Sequence, residues 1–246
     1  DTARAVQAGA EAGLTAAARD TRRVMLLLVD AQVDFVHPQG ALSVPGAVAD
    51  TCRTIEWLLT HAGRITTVAA SLDSHIPLQI FYATWWADAS GSHPEPFAVI
   101  TSDDVRAGRW QPVYEPAWSS SYVEALEAQA KKQLMIWPYH TMLGSEGHNL
   151  MSALYEAVVY HSAARQTQPL FLIKGLIPGS EHYSILEPEV KVPGHPQGTL
   201  NLAFIEQVAA HDLVYIAGQA KSHCVLETVQ SLVNHFRDQP AQLDKL

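Results

Sequence analysis

The segment that decides the fold is VMLLLV, residues Val24–Val29, an unbroken apolar run between Arg23 and Asp30. A run of this length with charge at both ends is typical of a β-strand that is buried on both faces. Such strands occur in parallel sheets that are covered by helices on each side. Asp30 then stands where the strand leaves the core.

Outward from this strand, the chain alternates between predicted helices and strands. Helices are predicted at 3–19, 47–61, 148–164, 200–210 and 223–236, and further strands at 65–70, 133–137, 170–174 and 213–217. This alternation predicts an α/β fold with helices on both faces of a mainly parallel sheet. No linker or repeat divides the chain, so we interpret residues 1–246 as one domain. The irregular, tryptophan-rich stretch at about 78–130 is interpreted as an insertion or a lid.

The composition excludes several classes of function. The formal net charge of -9 argues against binding to nucleic acid, which needs clustered basic residues. No apolar run approaches the ~18–20 residues that span a bilayer, and no signal pattern is evident, so we expect a cytoplasmic protein without a membrane partner. With only Cys52 and Cys224, a disulfide framework is not expected. Cys52 falls on a predicted apolar helix face with Val48 and Leu59, so we expect it to be buried.

Chemically active side chains stand just beyond the predicted strands. They are Asp30, Asp73, His75, His140, Lys174 and, after a stretch of small residues, Cys224. Each has an ordinary structural reading when taken alone, but ligands bind beyond the carboxyl ends of parallel strands. Cys224 also stands at the predicted start of a helix, where backbone N–H groups favour a thiolate and can hold an oxyanion. Together these positions predict a nucleophilic site.

Six segments, taken together, resemble the isochorismatase-like cysteine hydrolases, a family that includes the nicotinamidases. They are LLVDAQVDF at 27–35, GALSVPG at 40–46, DSH at 73–75, PYHTMLGSEG at 138–147, IKG at 173–175 and GQAKSHCV at 218–225. The resemblance implies a three-layer α/β/α, Rossmann-like fold. It also implies a catalytic triad of Asp30, Lys174 and Cys224, with a cis peptide between Gln219 and Ala220 beside the oxyanion site.

The resemblance further implies a divalent metal beside the triad, with Asp73, His75 and His140 as three of its ligands. A further histidine is expected shortly after His75, and PLQIFY at 77–82 has none. Two interpretations stay open: zinc held by three side chains and water, or a metal-free hydrogen-bonded pair of Asp73 and His75. No organic cofactor is expected. Candidate pocket residues are Phe35, Phe81, Trp85, Glu181, His182 and Tyr183; the last three are equally readable as a surface loop, or as the source of a replacement ligand.

The favoured function is hydrolysis of a small amide through a thioester on Cys224, with Asp30 as the base and Lys174 stabilising charge. The alternatives are a vinyl-ether hydrolase of the isochorismatase type and a non-catalytic binding or scaffold protein with the same fold. A serine α/β-hydrolase and a dinucleotide-binding domain are disfavoured, because neither a G-x-S-x-G nor a G-x-G-x-x-G motif follows a strand.

The chain ends soon after the helix of Cys224, where members of this family add another strand and helix. We therefore expect either that a final segment is missing or that a partner completes the sheet. A bare sheet edge favours association, so a homo-oligomer is expected.

Overall fold

The computed structural model describes residues 1–130 and 132–246. Its strands are β1 (Val24–Val29), β2 (Thr67–Asp73), β3 (Trp86–Ala87), β4 (Val99–Ile100), β5 (Gln111–Pro112), β6 (Leu134–Met135), β7 (Leu170–Lys174) and β8 (Leu213–Gly218). Its helices are α1 (Thr2–Glu11), α2 (Val33–Val36), α3 (Ala47–His61), α4 (Ser102–Arg106), α5 (Pro116–Ala125), α6 (Ser152–Arg165), α7 (Leu202–Ala209), α8 (Leu226–His235) and α9 (Pro240–Leu243). No helix in the described ranges is both long and apolar enough to cross a membrane.

The centre of the fold is a parallel sheet with the strand order β7-β2-β1-β8. All six residues of β1 are buried, as the apolar run predicts. Met25, Leu27 and Val29 belong to a hydrophobic cluster with residues of α7 and α8. Leu26 and Leu28 belong to a second cluster with residues of α3 and α6. Helices therefore cover both faces of the sheet, which confirms the predicted three-layer α/β/α fold.

The predicted strand at 133–137 does not join the central sheet. Only Leu134–Met135 is a strand there, and it pairs antiparallel with β4. Leu134 packs in a third hydrophobic cluster, which is built mainly from residues 80–136 and holds Trp85 and Trp86. Because this part of the chain has its own apolar contacts, β6 is drawn away from the sheet. The expectation that five strands share one sheet is therefore wrong: the central sheet of the described chain has four.

The buried face of α3 also differs from the prediction. Ala47, Thr51 and Leu58 are buried, whereas Val48 and Leu59 are exposed by 45% and 44%, and Cys52 is exposed. Apolar residues lie on both sides of this helix, so their periodicity alone does not identify the side that meets the sheet and α6. The two cysteines are consequently in opposite environments, with Cys224 buried.

The helix boundaries differ from the sequence prediction at several ends, two of which matter here. The first helix ends at Glu11 rather than near residue 19, and Gly13 follows with φ of +67°. A π-helical turn at Lys221–Val225 precedes α8, so Cys224 lies in this turn and not within the α-helix proper. The predicted homo-oligomer stays a prediction.

Candidate active site

The sheet brings the ends of four strands together. Asp73 ends β2 and stands in register with Lys174 at the end of β7. On the other side of β2, Asp30 directly follows β1, and Val29 is in register with Gly218 at the end of β8. Adjacent parallel strands that end at one level place the residues that follow them side by side. This geometry gathers the three predicted triad residues.

Lys174 is the centre of the polar cluster. Its Nζ lies 3.1 Å from Asp30 Oδ2 and donates hydrogen bonds to Asp73 Oδ1 at 2.8 Å and to Cys224 Sγ at 3.6 Å. A further hydrogen bond, also of 2.8 Å, goes to the carbonyl oxygen of His182. The Lys174 ammonium is therefore in contact with two carboxylates and a thiol, out of water.

Burial controls the protonation of the three triad residues. It raises the pKa of the Cys224 thiol well above its ordinary value, although Lys174 acts in the opposite direction. It also raises the pKa of Asp30, again against the effect of Lys174. Burial opposes the charge of Lys174 too, but the carboxylates of Asp30 and Asp73 hold its pKa well above the usual range. Burial therefore opposes the thiolate that the place of Cys224 near a helix start led us to expect, and a base is needed to take the proton of this thiol.

The orientation of Asp30 is fixed by its backbone and by Ser71. Asp30 has a φ of +47°, in the left-handed region. Its N–H donates to Ser71 Oγ at 3.1 Å, and the Ser71 hydroxyl donates back to Asp30 Oδ1 at 2.6 Å. Because Oδ1 is held in this way, the other oxygen, Oδ2, faces Lys174.

The segment between β8 and Cys224 contains the cis peptide that the resemblance implies. The peptide between Gln219 and Ala220 is cis, and the N–H of Gln219 donates to the carbonyl oxygen of Val29 at 2.8 Å. Gly218 has a φ of +138°, and a Cβ there would collide with the carbonyl of Val29. Only glycine fits here, because the ends of β1 and β8 approach each other closely. This close approach directs the backbone towards Cys224.

Asp73, His75 and His140 form the one group of potential metal ligands found in the described part of the chain, with ligand atoms within 4.8 Å of one another. Asp73 Oδ2 lies 2.9 Å from His75 Nε2 and 3.7 Å from His140 Nε2. Burial lowers the pKa of His140 to about 4, so its imidazole is neutral near pH 7. His140 Nδ1 lies 2.7 Å from the carbonyl oxygen of Pro138 and therefore carries the proton.

That tautomer leaves the lone pair of His140 Nε2 pointing at a carboxylate oxygen. Although burial opposes it, His75 and Lys174 hold the pKa of Asp73 below its usual range, so the carboxylate is charged. A lone pair and an anion that converge on one point suit a bound cation, and three ligands with an open position suit zinc. The three residues therefore fit a metal, while the 2.9 Å contact also matches the metal-free pair of Asp73 and His75.

His140 reaches the site from a loop instead of from a strand of the central sheet. The segment at 138–147 pairs with His75, whose N–H donates to the carbonyl oxygen of Thr141 at 3.1 Å. The Asp34 carboxylate accepts hydrogen bonds from the N–H groups of Thr141 at 2.7 Å and Ala41 at 3.0 Å. Asp34 thus ties two of the recognised segments together, a positioning role that its place in the DAQVDF motif did not reveal.

A cavity of about 240 Å³ opens over Cys224. The predicted pocket residues Phe35, Phe81, Glu181, His182 and Tyr183 line it together with Ala220, Asp73, His75 and His140. Trp85 does not: its indole N–H donates to Ser119 Oγ at 2.9 Å inside the third cluster, so its pocket assignment is corrected. Lining residues that were missed include Trp137, His223 and the segment 42–45. His223 and residues 42–45 lie inside recognised segments and Trp137 directly precedes PYH, so their place in or beside these motifs was the available signal.

Glu181 anchors the aromatic wall of this cavity. Its Oε1 accepts hydrogen bonds from the Tyr183 hydroxyl at 2.5 Å and from the Trp137 indole at 3.2 Å, and the Tyr122 hydroxyl lies 3.3 Å from Oε2. Burial raises the pKa of Glu181 to about 7. Glu181 and His182 lie outside the group of metal ligands defined above, so neither is a replacement ligand in this arrangement.

Comparisons with known proteins identify the fold. No protein-family model and no curated protein matches the sequence. The yeast nicotinamidase Pnc1p matches with a TM-score of 0.59 and 21% identity, over 86% of this chain and 82% of that one. Its complex with the inhibitor nicotinaldehyde gives 0.57 and 19%, over 86% and 82%. An Acinetobacter baumanii nicotinamidase pyrazinamidase gives 0.53 and 20%, over 88% and 79%. The chain therefore has the isochorismatase-like fold of the nicotinamidases.

Proposed function

We propose that this protein is an amidase that hydrolyses the C–N bond of a small amide through a thioester on Cys224. The observation that carries the proposal is the buried contact of a thiol, an ammonium and a carboxylate beneath an apolar cavity. Placing three such groups out of water is costly for a purely structural protein, and perturbed titratable groups of this kind are typical of active sites.

In the proposed reaction, Asp30 takes the proton of the Cys224 thiol, and the thiolate attacks the carbonyl carbon of the amide. Lys174 stabilises the negative charge as it moves from Asp30 to sulfur. Backbone N–H groups at Ala220 and Cys224 hold the oxyanion. Asp30 then returns the proton to the leaving ammonia or amine, and a thioester remains. Water that gives a proton to Asp30 attacks the thioester, which releases the acid and restores the thiol.

We propose zinc as the metal that Asp73, His75 and His140 would hold. When bound, it would supply a Lewis acid at the wall of the cavity, able to bind a polar atom of the substrate. Asp73 would then link the two parts of the site, because its Oδ1 accepts from Lys174 while its Oδ2 faces both imidazoles.

The cavity supports a small, flat substrate. Its volume of about 240 Å³ lies below the usual range for drug-sized ligands, and Phe35, Phe81 and Trp137 contribute aromatic walls. Phe81 belongs to the stretch at about 78–130, which we propose is an insertion that shapes the pocket of a single hydrolase domain. Small aromatic carboxamides, the class that includes nicotinamide, fit these walls best.

Ammonia release tests the proposal. The purified protein is assayed with a panel of small primary amides that includes nicotinamide, beside Cys224→Ala and a matched Cys52→Ser control at the exposed cysteine. We expect release by the wild type and by Cys52→Ser, and none by Cys224→Ala. Release that persists in Cys224→Ala would contradict the thioester, and isochorismate cleavage with no ammonia release would favour the vinyl-ether alternative.

The scaffold alternative is tested on the thiol itself. In the Cys52→Ser chain, only Cys224 remains for iodoacetamide to modify. We expect modification that a bound amide blocks, because Cys224 lines the cavity. A thiol that stays unmodified, in a chain that releases no ammonia from the panel, would favour the scaffold.

A further inference from the structure

Gln32 is a buried glutamine whose side-chain amide bonds to the backbone of Asp73. It is 0% exposed and lies two residues after Asp30. Its Nε2 donates to the carbonyl oxygens of Asp73 at 2.8 Å and of His148 at 2.7 Å. Its Oε1 accepts from the N–H of Asp73 at 2.7 Å. One side-chain amide therefore pairs both backbone groups of Asp73 and uses both of its own N–H donors.

This amide extends the pairing of β2 beyond the point where β1 ends. The parallel register between β1 and β2 stops at Ala70, three residues before Asp73. On the other side of β2, Asp73 is still in register with Lys174 of β7. Buried backbone N–H and C=O groups need partners. Gln32 supplies these partners to Asp73 in place of a further residue of β1.

The place of the Asp73 backbone matters because its carboxylate serves two groups at once. Oδ1 accepts the 2.8 Å hydrogen bond from Lys174 Nζ, and Oδ2 lies 2.9 Å from His75 Nε2. The same Lys174 Nζ donates to Cys224 Sγ at 3.6 Å. A shift of Asp73 would therefore disturb the ammonium beside the nucleophile and the candidate metal ligands together.

His148 holds the same stretch of β2 from a second direction. Its Nε2 lies 2.7 Å from the hydroxyl oxygen of Ser74, the residue after Asp73. The Ser74 hydroxyl donates to the carbonyl oxygen of Leu72 at 3.0 Å, so it accepts a proton from His148 Nε2. Because Gln32 also bonds to the carbonyl oxygen of His148, loss of the Gln32 amide would loosen both supports of Asp73.

We propose that Gln32 is a positioning residue: it fixes the backbone of Asp73, so that one carboxylate holds Lys174 in place and turns its other oxygen to the candidate metal ligands. This inference rests on the proposed function. Gln32 is not one of the described residues that line the cavity, so it acts through Asp73 and not on the substrate.

Gln32→Met tests the inference, since methionine has a similar length and no amide. In the folded variant, the ¹⁵N signal of Lys174 Nζ should shift, because Asp73 is no longer held. Zinc affinity, measured by competition with a chelator, should fall about 10- to 100-fold, the usual effect of losing a group that orients a metal ligand. For ammonia release, kcat should fall while KM changes little, because Gln32 does not line the cavity.

His211→Leu is the matched control at the opposite end of β2. His211 is 1% exposed, and its Nε2 lies 2.9 Å from Oγ1 of Thr67, the first residue of the strand. Its Nδ1 lies 2.7 Å from the carbonyl oxygen of Gln207. This variant should also lose stability in denaturant unfolding, but it should keep the Lys174 signal, the zinc affinity and kcat of the wild type. Gln32→Glu keeps the shape and the oxygen that accepts from Asp73, and should give intermediate effects.

The inference is overturned if a folded Gln32→Met chain keeps both the Lys174 signal and the zinc affinity of the wild type, or if His211→Leu changes them equally. If Gln32→Met does not fold, the same criteria apply to Gln32→Glu. If the wild type binds no zinc, the Lys174 signal decides alone. A wild type that releases no ammonia, but whose Lys174 signal depends on Gln32, would contradict only the proposed amidase.

Discussion

Replacing Asp30 with asparagine tests the proposed role of Asp30 as the base, because the other groups of the site remain. Asparagine tolerates the left-handed backbone at this position, where φ is +47°. Its amide oxygen can still accept the hydrogen bond that Ser71 now donates at 2.6 Å. Lys174 keeps its 2.8 Å contact with Asp73. The substitution therefore removes the proton acceptor and its 3.1 Å contact with Lys174, and leaves the contacts of Ser71 and Asp73 in place.

The size of the expected loss in rate follows from the role of a general base. Loss of such a base lowers the rate about 10²- to 10⁴-fold, which corresponds to a barrier about 3–5 kcal/mol higher. The loss of unfolding free energy should stay below the roughly 3–5 kcal/mol of an orphaned buried charge, because Asp73 still pairs with Lys174. Activity and stability should therefore respond very differently.

The reactivity of the Cys224 thiol should rise in this variant, whereas the rate of ammonia release should fall. Burial is the main cause of the raised pKa of Cys224, and the carboxylate of Asp30 raises it further. Without that carboxylate, and with Lys174 still 3.6 Å from the sulfur, the pKa of the thiol should fall. Alkylation of Cys224 by iodoacetamide at pH 7–8, in a Cys52→Ser background, should then become faster while ammonia release becomes slower.

Two results would refute this reasoning. Ammonia release within a few-fold of the wild type would show that Asp30 is not the base. Parallel loss of ammonia release and alkylation would show that Asp30 mainly holds Cys224 in place. Denaturant unfolding of the same variant tells either result from a loss of folded protein.

Three other predictions concern the cavity wall, the chain course and the metal. Burial raises the pKa of Glu181 from 4.5 to about 7, so its contribution to stability is complete below pH 4.5 and is lost as the pH rises through 7. Denaturant unfolding should show a loss of about 3 kcal/mol over this range that is absent in Glu181→Gln. Gly218→Ala should lower the free energy of unfolding by about 3 kcal/mol or more, because its Cβ meets the Val29 carbonyl, whereas Gly13→Ala, at φ +67° in open space, should cost only about 1–2 kcal/mol. After zinc loading and dialysis, elemental analysis should find about one zinc per chain in the wild type and much less in His140→Ala.

Each of these predictions has a contrary outcome. An unchanged pH dependence in Glu181→Gln would place the titration on another group. Equal costs at the two glycines would mean that the close approach of the strand ends is easily relaxed. An unchanged zinc content in His140→Ala would show that His140 is not a metal ligand. Absence of zinc from the loaded wild type would favour the metal-free pair of Asp73 and His75.

Local sequence patterns were enough to predict the four strands of the central sheet and the polar residues at the ends of three of them. The apolar run of β1 is long and uninterrupted, and the fold places Asp30, Asp73 and Lys174 at the ends of adjacent strands. Parallel pairing then requires these side chains to be neighbours, whatever the details of the helices. The cis peptide at Gln219 followed only from the resemblance, since no local pattern predicts it.

Packing between segments that are distant in the sequence decided which side chains line the cavity and which are exposed. Trp85 and Trp137 look alike in the sequence, yet Trp85 is buried inside the third cluster, whereas Trp137 packs against the edge of that cluster and also lines the cavity. The exposure of Cys52 depended on which side of α3 meets the sheet, and periodicity could not settle that where both sides carry apolar residues.

The sequence by itself determined the strand core, the order of the chemical groups along the chain and their arrival at one edge of the sheet. Only the tertiary structure decided that burial raises the pKa of the Cys224 thiol and that the His182 imidazole has no hydrogen-bond partner among the described residues. The physical reason is that connectivity and side-chain period are local properties, whereas desolvation and hydrogen-bond pairing depend on every segment that closes around a group.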